Sequence, residues 1–118
     1  MSQDEIEYHK ALIKKHFIED TADKFTCIRI AVECKYNELA IEMIKALRFK
    51  VETLTTLQAA ELWGDLTTRK GTIAAFRQHI MNLGYNFPSQ DKIVPKNGAK
   101  AEYTFKGVCD FAIATLKN

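Results

Sequence analysis

The hydrophobic pattern divides the chain into segments of different period. Between Asp4 and Asp20, Ile6, Leu12, Ile13 and Phe17 form an apolar stripe at helical spacing, which predicts a helix. Ser2 or Asp4 can cap its start, and Asp4, Glu5 and Glu7 stand where the helix dipole favours acids. From Thr26 to Lys35 the period drops to two. Ile28, Ile30, Val32 and Cys34 alternate with Arg29, Ala31, Glu33 and Lys35, which predicts a short strand. A helix beginning near Thr26 would align Ile28, Val32 and Lys35, a poorer stripe. Helical spacing returns in "NELAIEMIKALRF". Asn37 is the expected cap, Leu39, Met43, Ala46 and Leu47 share a face, and Ile44 lies at its edge.

The threonine-rich "KVETLTT" interrupts this pattern. A short helix is predicted from Thr56 to Trp63, capped by Thr55 or Thr56, with Leu57, Ala60 and Leu62 or Trp63 turned inward. Gly64 is expected to end it. A longer helix is predicted from Thr67 or Thr68 to Gly84, because Ile73, Phe76, Ile80 and Leu83 fall on one stripe. The loop "NFPSQ" follows. Asn97-Gly98 is then a strong hairpin-turn signal, since both residues tolerate positive φ. Pro95 makes the first arm short or an edge. Tyr103 and Phe105 alternate on the return arm, and "VCDFAIATLK" suits a last short helix or strand.

A chain of 118 residues with 47% apolar content is sized for one globular domain. The pattern organises it as an N-terminal helix over residues 1–24, a main unit over 25–107 and a terminal element over 108–118. The N-terminal helix has a wider apolar stripe than solvation needs, so it is expected to pack on the main unit or to make a homodimer. Three cysteines, Cys27, Cys34 and Cys109, occur without a CxxC pair or histidines at ligand spacing, which points to free thiols in a reducing cytosol. His9 and His16 flank the first stripe with no carboxylate or cysteine to complete a metal set. The start of the chain is polar and acidic, unlike a signal peptide, and no apolar run reaches the roughly 20 residues of a membrane span. A cytoplasmic protein without cofactor or metal is expected.

From Asn37 the order is helix, short helix, turn, longer helix, hairpin. The segment "LAIEMIKALRFKVETLTTLQAAELWGDLTTRKGTIAAFRQHIMNLGYNF" with "GAKAEYTF" resembles winged-helix DNA-binding domains, loosely the effector domains of OmpR-type regulators. "ELWGD" is similar to the end of the helix before the turn, "GTIAAFRQHIMNL" to a recognition helix, and "AEYTF" to the strand closing a wing. The resemblance spans about Thr26 to Lys106, with fewer cations at the end of the recognition helix than that family carries. It implies an α+β fold, a winged helix-turn-helix with a three-helix core and a C-terminal β-hairpin wing, preceded by an N-terminal helix and a short strand. It also implies a small transcription regulator that binds double-stranded DNA. The size suits a stand-alone regulator of the kind carried by phages and mobile elements.

The residues can be read without the family. If Ile73, Phe76, Ile80 and Leu83 face the core, the opposite face carries Lys70, Gly71, Ala74, Gln78 and Met81, with Asn82 beside them and Arg77 on the shoulder. Gln78 and Asn82 can pair with adenine edges, and Lys70 or Arg77 can reach guanine or phosphate. Base readout is therefore expected from Lys70, Gln78 and Ala74. Phosphate contacts are expected from Thr67, Thr68, Arg69, Arg77, Lys96 and Lys100. The same residues also suit a solvated face, and lysines at a hairpin tip discourage edge pairing. A protein-interaction module, such as a phage inhibitor of a host protein, is the alternative, because a net charge of +2 is modest for a DNA binder. No phosphate loop, GxSxG elbow or HExxH motif points to an enzyme.

Overall fold

The computed structural model describes residues 1–95 and 100–118. The expected Asn97-Gly98 turn and Lys96 lie outside the described residues. In chain order the elements are α1 (Gln3–Ile18), α2 (Lys24–Glu33), α3 (Asn37–Leu47), β1 (Thr53–Thr55), α4 (Thr56–Thr67), α5 (Ile73–Leu83), β2 (Lys92–Ile93), β3 (Glu102–Thr104) and α6 (Phe105–Lys117). The strands form a small antiparallel sheet in the order β1-β3-β2, with Leu54 opposite Tyr103 and Lys92 on the other side of Tyr103.

This corrects the predicted fold class. The protein is mostly helical, and among the described residues the β structure is confined to three strands of two or three residues. A three-helix core closed by a C-terminal hairpin wing is not what forms. The reason lies in the segment after the hairpin. Phe105, Val108, Cys109, Ala112, Ile113 and Leu116 recur at helical spacing and Phe111 is buried beside them, so α6 presents a broad apolar side that must be enclosed. It packs on α4 and α3, and α2 packs in turn on α3 and α4. Thr104 caps α6, its hydroxyl accepting from Gly107 N at 3.0 Å.

The predicted strand over Thr26–Lys35 is α2 instead. Asp23 caps it, its carboxylate accepting from Thr26 N at 2.9 Å. The buried residues are Cys27, Ile28, Ala31 and Val32, a helical set, and the alternation of β-branched residues is overridden by packing on α1 and α3. α1 follows its prediction closely, with Ile13 and Phe17 buried against its neighbours. α3 is not capped by Asn37. Tyr36 holds the cap position, and the Asn37 amide donates to Leu116 O at 3.3 Å, tying α3 to the end of α6.

α4 begins in a capping box. Thr55 Oγ1 accepts from Gln58 N, and the Gln58 side chain accepts from Thr55 N. It does not stop at Gly64 but runs on to Thr67. Gly64 is a contact glycine: a Cβ there would lie 2.6 Å from Gly71 Cα and 2.8 Å from Arg69 O. Its missing side chain lets the linker to α5 cross close over α4. Leu57, expected inward, is half exposed, while Ala59, Ala60, Leu62, Trp63 and Leu66 are buried.

Candidate nucleic-acid interface

α5 starts later than predicted. Its cap is Thr72, whose hydroxyl accepts from Ala75 N at 3.2 Å, and it ends at Gly84 (φ 59°). Its inner side is anchored by Phe76, fully buried among Trp63, Phe87, Tyr103 and Phe111 with ring centroids 5.5–6.3 Å away. Trp63 Nε1 donates to Thr115 Oγ1 at 3.1 Å, which locks α4 to α6 beneath α5. The stripe of Ile73, Ile80 and Leu83 is half-buried. This seating presents Ala74, Arg77, Gln78, Met81 and Asn82 to solvent as one exposed face. Gln78 Nε2 donates to Asn82 Oδ1 at 2.9 Å, so the two amides form one exposed unit.

The other predicted residues separate into three groups. Thr67 is 1% exposed, and its hydroxyl donates to Trp63 O at 2.7 Å, so it is a core residue closing the last turn of α4 and cannot contact phosphate. Thr68, Arg69 and Lys70 are exposed but lie in the linker before Thr72, with Thr68 in the left-handed region (φ 58°). Lys70 is therefore not on the outer face of α5, although it precedes its positive end. Lys100 is exposed near β3, and Lys96 lies outside the described residues. Sequence reasoning missed Thr72 as the cap. The signal was a threonine at the right offset from the stripe that begins at Ile73.

Charge sets this side of the molecule apart. Residues 1–65 carry 12 acids against nine Lys and Arg, whereas residues 66–118 carry three acids against eight. Between Leu66 and Ala101 the single acid is Asp91. Asp91 is buried, accepts from Thr104 Oγ1 at 2.8 Å and sits 3.8 Å from Lys106 Nζ, so it offers no exposed negative charge. Elsewhere Lys10, Lys14, Lys24, Arg29, Arg48, Lys50 and Lys106 each stand 2.8–3.9 Å from a carboxylate. Among the described residues Lys15, Lys35, Lys45, Arg69, Lys70, Arg77, Lys92, Lys100 and Lys117 have no such partner, and five of these nine lie between Leu66 and Ala101, Arg69 beside a cleft that Asp23, Glu33 and Asp65 also line. The Arg69 charge is felt inward as well. Burial first, and then Arg69, hold His79 below the usual histidine range beside the Trp63 ring.

Other sites offer less. Among the described residues no group of three His, Cys, Asp or Glu side chains could hold a metal ion. His9 and His16 are each occupied by one hydroxyl, of Tyr36 at 3.0 Å and of Thr21 at 2.6 Å. A cleft between α1 and the start of α3 is lined by residues of both charges, including Lys10, Lys14, Glu38 and Glu42. No helix of the described residues is long and apolar enough to cross a membrane. Comparison of the chain with protein-family models, with curated proteins and with solved structures finds no match in any of the three.

Proposed function

We propose that this protein binds duplex DNA through the outer face of α5 and the cations around it, acting as a small transcription regulator. The observation that carries the reading is that the segment from Leu66 to Ala101 has a single acid, the buried Asp91, while its Arg69, Lys70, Arg77, Lys92 and Lys100 have no carboxylate partner among the described residues. Cations left without internal partners suit phosphate, whose neutralisation releases counterions. Thr68, Arg69 and Arg77, with Lys96 and Lys100, serve as backbone contacts. Gln78, Asn82 and Ala74 serve as base-edge contacts, Lys70 reaching in from the linker.

Fluorescence anisotropy with a labelled duplex tests this directly. Affinity should fall linearly on a log–log plot against salt, and Arg77→Ala or Lys100→Glu should each lower the slope by about 0.9. Lys45→Glu, on the exposed side of α3, should leave the slope unchanged. Gln78→Ala should alter sequence preference by about 1–3 kcal/mol at one position. Salt-independent binding, or no binding at low salt, would refute the reading. A protein partner is the second reading. It is favoured by Phe49 and Val51, 82% and 100% exposed in the connection from α3 to β1. A pull-down whose stoichiometric partner is lost in Phe49→Ser would support it, and recovery of DNA alone would count against it.

A further inference from the structure

α1 has two apolar sides, and only one of them is covered. Ile13 and Phe17 face inward, while Tyr8, Leu12 and Ile18 are 72%, 39% and 65% exposed. At about 100° per residue, Tyr8, Ala11, Leu12, Lys15 and Ile18 fall within about a third of the circumference, so the exposed residues form one stripe. The charges on α1 are segregated along its length. Asp4, Glu5 and Glu7 cluster in its first turns with no Lys or Arg among them, and Lys14, Lys15 and His16 cluster in its second half with no acid among them, while Lys10 near the middle is paired with Glu7.

We infer that this stripe is covered by α1 of a second copy, packed antiparallel about a two-fold axis. In that arrangement residues whose numbers sum to about 20 face each other. Tyr8 then sits over Ala11 and Leu12 of the second copy, and Asp4 and Glu5 lie against its Lys15, with both contacts made twice. A parallel pairing would set acid against acid and base against base. The antiparallel one makes the surface self-complementary, as a two-fold interface requires, and also opposes the two helix dipoles. Lys14 is already engaged with Glu42 at 3.0 Å, whereas Lys15 has no carboxylate partner among the described residues and is available to the second copy. A contact limited to one 16-residue helix, about 24 Å long, lies at the small end of specific interfaces, so the dimer should form in the micromolar range. The inference holds whether or not α5 binds DNA.

Sedimentation equilibrium on the full chain, from about 1 to about 200 µM, tests it. A concentration-dependent monomer–dimer equilibrium is expected. Leu12→Glu should raise the dissociation constant roughly tenfold or more, because it sets a carboxylate in the centre of the seam. Lys15→Glu should weaken the dimer, and Glu5→Lys added to it should restore association. Far-UV circular dichroism checks that α1 persists in each variant. Restoration by the double swap is an outcome that loss of helix alone does not produce. A monomer across the whole range overturns the proposal. So does a dimer indifferent to Leu12→Glu and to the charge swap, which would place the contact on another face.

Discussion

Gly64→Ala discriminates sharply between two accounts of one residue. At an ordinary exposed position inside a helix the change would stabilise the protein by about 1 kcal/mol, since alanine is the better helix former. Here the new Cβ would lie 2.6 Å from Gly71 Cα and 2.8 Å from both Arg69 O and Gly71 N. All three are backbone atoms, so no side chain can rotate away. Relief requires the linker to lift off α4, at the expense of the hydrogen bonds that Thr68 N and Arg69 N donate to Gly64 O. Overpacking of this kind costs about 1–3 kcal/mol, and the backbone origin of the clash puts it at the upper end. After the helix-propensity gain the net loss should be about 1–2 kcal/mol. For a chain of this size that lowers the melting temperature by roughly 4–10 °C. Thermal unfolding followed by circular dichroism measures the loss, and urea titration should show a lower midpoint at an unchanged slope. Arg69 and Lys70 ride on the displaced linker, so under the DNA-binding proposal affinity for duplex should fall as well. Gly71→Ala, whose Cβ would meet Glu61 Cα at 3.1 Å, should be milder. A Gly64→Ala protein as stable as the parent, or more so, would refute the close crossing of linker and helix.

Two further outcomes follow from burial. Cys109 is enclosed in α6, and burial first, with Asp110 beside it, pushes its thiol up to about 12. Alkylation of the native protein should therefore modify Cys34, which is partly exposed, well before Cys27 or Cys109, as mass spectrometry can follow. Because the thiol keeps its proton longer in the folded state, stability should be intact below pH ~8.5 and fall as pH rises toward 12, and Cys109→Ala should flatten that slope. Rapid labelling of native Cys109 would contradict its burial. His79 is held low, so its contribution to stability is present above pH ~6.5 and lost as pH falls through its folded value. NMR titration should find that Arg69→Ala raises the His79 value only in part, burial being the larger cause, and an unchanged value would place the guanidinium elsewhere.

Periodicity revealed much of this fold, and its failures have physical causes. The buried sides of α1 and α5 were readable from Ile13 and Phe17 and from Phe76, whereas the buried side of α3 is turned toward Ala40 and Ile44 and leaves Ala46 exposed. α2 was misread because Ile28, Ile30, Val32 and Cys34 happen to alternate, and the cap at Asp23, a better signal, lies outside that window. Gly64 read as a terminator, since a sequence cannot tell a glycine that ends a helix from one that admits a crossing chain. The apolar residues of α6 recur at helical spacing, but its central place depends on tertiary packing against α3 and α4, which periodicity does not encode. For the candidate site, the outer residues Ala74, Arg77, Gln78 and Asn82 followed directly from the Phe76 stripe. Thr67 did not, because its hydroxyl turns back onto Trp63 O, a local bond that composition does not announce.

The enclosure of α6 bears on how the protein is made. Synthesis produces α3, α4 and α5 before the helix they surround exists. Until Phe111 and Thr115 emerge, Trp63 and Phe76 lack the partners that seat them at 5.5–5.9 Å and at a 3.1 Å hydrogen bond. β1 likewise waits for β3, about fifty residues downstream. A nascent chain therefore leaves these apolar helix faces uncovered until α6 emerges, and the core can close only once that helix is made. A chain broken off before α6 keeps those faces uncovered. Quality control can thus recognise an unfinished copy by its surface alone.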